Sequence, residues 1–143
     1  MTTPAPAPAQ ASTEESPFDP HDFPQELREE QRRDAELYAE LQALQARLPW
    51  SREPHDGWPE VEERGRASKG RAPSPGWKPD DAAAYDRLWE ELRGATAAVQ
   101  THEWWGICER QGVKGADLYA ARQALKHAPG AVPLAREDVA QTA

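Results

Sequence analysis

The sequence predicts an all-α protein of three helices, with a Trp-anchored Pro/Gly-rich loop between the first two and disordered termini. Three features lead there. Tyr85, Leu88, Trp89, Leu92, Ala95, Thr96 and Val99 recur at steps of three and four, the spacing of one buried helical stripe. Leu37, Leu41, Leu44 and Leu48 form a second seam at steps of four, three and four. Twelve of the 14 prolines cluster in residues 4–24 and 49–79, which confines helix to the stretches between and after them.

Residues 1–22 form a Pro/Ala-rich tail. Its composition offers too little apolar surface to offset the entropy of ordering, so disorder is expected. Phe18 and Phe23 at its exit are placed to pin its end to the folded part. A helical domain is expected over 23–128, followed by a flexible tail at 129–143.

The first helix runs over 25–48, entered after Pro24 and ended by Pro49. Its first half reads as polar all round, with Glu29 and Arg33 spaced for an i,i+4 pair. The leucine seam of its second half is shorter than two heptads. It therefore needs a packing partner, either the 81–101 helix or a second copy of the chain.

Residues 49–79 hold Trp50, Trp58 and Trp77 among prolines and glycines with no helical period. A disordered linker is poor in aromatics, so these tryptophans are expected to strap the loop onto the helices. Between them Arg64-Gly65-Arg66-Ala67-Ser68-Lys69-Gly70-Arg71 carries four cations and no acid, which reads as a mobile basic loop.

The second helix is expected over 81–101, with Asp80 and Asp81 capping its start and matching the positive end of its dipole. A short helical piece follows at 103–110, and Gly112 and Gly115 break the chain. The third helix, 116–127, carries Leu118, Ala121, Ala124 and Leu125 on one side and ends before Pro129-Gly130.

At this point the stretches Leu48-Pro49-Trp50-Ser51-Arg52-Glu53-Pro54, Ser74-Pro75-Gly76-Trp77 and Ala121-Arg122-Gln123-Ala124-Leu125-Lys126-His127 resemble small uncharacterised Trp-containing helical proteins of high-GC bacteria. The resemblance spans about residues 48–128 and implies no activity. Thirteen arginines against four lysines fit the same kind of genome.

The chemistry the sequence offers is sparse. A net charge of −8 keeps the chain soluble and makes it a poor whole-molecule match for phosphate backbones or anionic lipid. The single cysteine, Cys108, excludes an internal disulfide and reads as a buried thiol in a reducing cytosol. No signal peptide or membrane span is visible, so a cytoplasmic location is expected. His102-Glu103-Trp104-Trp105 opens like a zinc-protease helix, but position 106 is Gly where the second imidazole is needed. His102 and Cys108 are six residues apart and share no helix face as a base and nucleophile would. With no catalytic set, no metal site and no cofactor implied, the expected function is non-enzymatic.

The leading expectation is a small accessory or regulatory protein acting through helix packing on a protein partner or on itself. Its interaction surface would comprise Leu37, Leu41, Leu44, Leu48, Trp50, Trp58, Trp77 and Trp89. The alternative is a nucleic-acid-binding regulator. It would use Arg64, Arg66, Lys69 and Arg71 of the basic loop, or Arg122 and Lys126 on a helix-turn-helix-like corner at 104–127, or both.

Overall fold

The computed structural model describes residues 17–133. It comprises helix α1 (Gln25–Arg47), strands β1 (Val61–Glu63) and β2 (Arg66–Ser68), and helices α2 (Pro79–Gln100), α3 (Glu103–Arg110) and α4 (Ala116–Leu125). The protein is therefore mostly α rather than purely all-α, since a small antiparallel sheet sits inside the Pro/Gly-rich loop.

α1 and α2 lie side by side as the longest contact in the fold. Leu37, Leu41 and Leu44 are buried against Leu88 and Leu92, with Leu48, Ala84, Tyr85 and Ala95 closing the edges. The leucine seam has thus found its partner within the same chain. Pro79 occupies the first turn of α2, where its missing N–H costs nothing. Asp80 and Asp81 sit inside that first turn and make no side-chain cap, so they act through the dipole alone.

A second core lies at the other end of α1. Phe23, Leu27, Trp105, Cys108, Ala121, Leu125, Ala128 and Ala131 are buried together there, and Phe18, Val99 and Trp104 pack on them. Leu27 is fully buried, which corrects the reading of the first half of α1 as polar all round. Arg33 pairs across to Glu91 at 3.5 Å rather than with Glu29, whose carboxylate accepts from Gln25. Between the two cores lies a polar layer: Gln31 is buried, and Thr96 Oγ1 donates to Asp34 Oδ1.

The folded unit extends past 23–128 at both ends. Trp104 Nε1 donates to Pro20 O at 3.1 Å with Phe18 tilted over the same ring, and Ala131 is buried in the second core. The rest of the two expected tails, 1–16 and 134–143, lies outside the described residues.

Within the loop the chain pairs with itself as a hairpin. Val61 pairs with Ser68, Glu62 with Ala67 and Glu63 with Arg66, and the bridges Trp58–Arg71 and His55–Ser74 continue the same register toward the helices. Arg64 and Gly65 turn the chain with φ of 53° and 78°, the pair of left-handed residues that a two-residue turn of type I′ demands. Gly57 is required for a different reason: a Cβ there would sit 2.8 Å from the Ala72 carbonyl carbon.

Candidate functional site

Each tryptophan of the loop closes part of it. Trp77 Nε1 donates to Pro49 O at 2.8 Å, and its ring meets Tyr85 of α2 edge-on at 4.8 Å. Trp50 Nε1 donates to Ala72 O, and Trp58 Nε1 to Lys69 O. Trp77 therefore straps the loop to a helix, while Trp50 and Trp58 strap one arm of the hairpin to the other. An indole N–H turned away from water needs such a hydrogen-bond partner, and here backbone carbonyls supply it. Arg52 adds the remaining tie, donating from both Nη1 and Nη2 to Asp86 at 2.8 Å. That fork holds the Asp86 carboxyl below its ordinary range, although both groups face solvent.

These placements redistribute the expected interaction residues. Leu37, Leu41 and Leu44 are buried and Leu48 is half-buried in the first core, so the seam cannot also receive a partner without unfolding. Trp50 and Trp77 are half-buried in the loop. Trp58 and Trp89 remain exposed, and Trp89 stacks edge-on to Tyr85 at 6.4 Å.

Two of the six candidate nucleic-acid cations are engaged elsewhere. Arg71 lies 4.7 Å over the Trp50 ring, and Arg122 lies 4.6 Å over Trp105 while donating to Gln100 O. Arg64, Arg66 and Lys69 are free on the hairpin surface, but Glu63 stands directly opposite Arg66 and Glu62 opposite Ala67. Lys126 is exposed at the end of α4. The structure brings the basic loop and the 104–127 corner to no shared site that any contact marks.

The chemistry singled out around His102 is structural. His102 Nδ1 accepts from the Trp104 N–H at 3.0 Å as the cap of α3, and Nε2 lies 3.5 Å from Glu26 of α1. Both nitrogens therefore have partners other than Cys108. Burial pushes the Cys108 thiol up from its ordinary range, which leaves less thiolate for any nucleophilic role. Among the described residues no group of three or more His, Cys, Asp or Glu is placed to hold a metal ion, and no helix is long and apolar enough to cross a membrane.

The feature that sequence reasoning passed over lies on the outer face of α1. Ala35, Tyr38, Ala39 and Gln42 form one side of an open groove of about 970 Å³, and Val132 and Pro133 form part of the other. Tyr38 is 55% exposed. Glu36 and Glu40 border the groove on the α1 side, and Lys126 and His127 border it on the far side. The groove exists because Ala128 and Ala131 tuck into the second core, which turns residues 126–133 alongside α1. In the sequence its only trace is the pair Ala35 and Ala39 flanking Tyr38, small residues one helical turn apart next to the leucine seam.

No curated protein and no solved structure gives a significant match to this chain. One family model does match, over residues 26–128, which takes in α1, the hairpin loop and all three later helices. The chain belongs to that family, the domain of unknown function DUF8825.

Proposed function

We propose that this is a small cytosolic accessory or regulatory protein, non-enzymatic, that works by helix-mediated contact with a protein partner or with a second copy of itself through the outer face of α1. The observation that carries this reading is the groove at Tyr38. Once Leu37, Leu41 and Leu44 have packed on α2, α1 still presents a second apolar strip with a large exposed aromatic at its centre. An aromatic ringed by small residues and framed by charge has the composition of an interface anchor with its polar rim. The nucleic-acid reading draws less support, because Arg71 and Arg122 are stacked on tryptophans and Arg66 of the hairpin faces Glu63.

Site-specific photocrosslinking in the cells that make the protein tests the proposal. A photoreactive residue at Tyr38 is expected to yield a discrete protein adduct, and the same residue at the exposed Glu62 is not. Absence of any adduct at Tyr38, or equal adducts at both positions, overturns it.

A further inference from the structure

The groove at Tyr38 has a charge pattern that points to a particular occupant. Its α1 side carries Glu36 and Glu40, and its far side carries Lys126 and His127. A strongly acidic or strongly basic partner would meet one favourable side and one repulsive side. A second copy of the same groove, turned by a two-fold axis that runs along it, sets the Glu36 and Glu40 carboxylates of each copy opposite the Lys126 ammonium and the His127 imidazole of the other. Self-complementarity of this kind is the condition for an isologous dimer. Ala35 and Ala39 are small enough to let a second helix approach closely, since the separation of packed helices is set by the side chains between them. Tyr38 then anchors each copy against the other's helix.

We propose, resting on the interaction reading above, that the partner is a second copy of this chain, which packs its own α1 into the groove about a two-fold axis. Glu36 and Glu40 of each copy face Lys126 and His127 of the other. A contact built on one helix face and one short segment is small, so dissociation in the micromolar range is expected.

Sedimentation velocity at physiological salt, over a range of protein concentrations, tests this with two charge-reversal variants. One carries Glu36→Lys with Glu40→Lys, and the other carries Lys126→Glu with His127→Glu. Glu40, Lys126 and His127 are exposed and Glu36 is half-buried, and circular dichroism checks that both variants fold. Each variant alone places like charges on both sides of the axis and is expected to dimerise at least about tenfold more weakly than the wild type. An equal mixture restores opposite charges on both sides and is expected to form the heterodimer. Only contact between different chains can produce that rescue.

A wild type that stays monomeric at every concentration overturns the second copy as partner. The Tyr38 crosslink then still decides the broader reading, because its adduct would contain a different protein. A wild-type dimer that neither variant weakens, or variants that fold but stay monomeric when mixed, overturns the groove as its interface.

Discussion

Arg52 grips Asp86 with a two-pronged hydrogen bond, both contacts 2.8 Å long, and this single pair fastens the start of the tryptophan loop to the N-terminal half of α2. Arg52 also lies 5.5 Å over the Trp77 ring, and its carbonyl accepts from the Trp77 N–H. The loop is therefore held at its base by one residue through charge, ring and backbone together.

That arrangement sets an acid response. The Asp86 carboxyl titrates below its usual value of 3.8 because the Arg52 fork favours its charged form. A depressed carboxyl contributes stability that is fully present above its unfolded pKa and is lost as pH falls through the lower folded value. Trp77 fluorescence is expected to change as pH drops below about 4, with the transition absent in Asp86→Asn. An unchanged acid transition in that variant contradicts the assignment.

Leu41 and Tyr38 are near neighbours on α1 with opposite duties. Leu41 is 2% exposed in the first core, and Leu41→Ala is expected to cost about 2–5 kcal/mol in urea unfolding. Tyr38→Ala removes nothing the monomer needs and is expected to stay within about 0.5 kcal/mol. Comparable losses from both would place Tyr38 in the fold rather than on a working surface.

Gly57 and Gly65 separate crowding from backbone strain. Both have positive φ, but a Cβ at Gly57 runs into the Arg71 and Ala72 backbone whereas one at Gly65 meets open space. Gly65→Ala is expected to cost about 1 kcal/mol from the left-handed backbone alone. Gly57→Ala is expected to cost more, about 2–3 kcal/mol, and to shift Trp58 emission as the bridge to Arg71 opens. Equal costs would mean that the arms of the hairpin separate easily.

Cys108 is expected to behave as core. With its thiol buried and its pKa raised, its reaction with a disulfide reagent at pH 8 should be at least about tenfold slower than that of free cysteine, and unfolding should restore the rate. Full reactivity in the folded protein would reveal an opening near α3.

How much of this was legible in the sequence varies with the physics that sets each element. The expected helices at 25–48 and 103–110 end within a residue of α1 and α3, because proline, glycine and a capping imidazole punctuate them. The hairpin was hidden. All six of its strand residues are exposed, so no alternation of apolar and polar residues announces it, and Arg64-Gly65 lacks the usual Asn or Asp before the turn glycine. Leu27 was misjudged because the helices that bury it, α3 and α4, come more than 70 residues later. Periodicity shows that a helix has an apolar face but not which neighbour covers it. For that reason the leucine seam looked available to a partner, and only the packing shows that α2 covers it.

Hydrogen–deuterium exchange of the wild type at low and high protein concentration reads the proposed interface without altering it. Protection is predicted to rise with concentration in residues 35–42 and 126–133 and to stay constant in the hairpin at 61–68. Protection that is independent of concentration throughout, or that rises in the hairpin instead, contradicts the account.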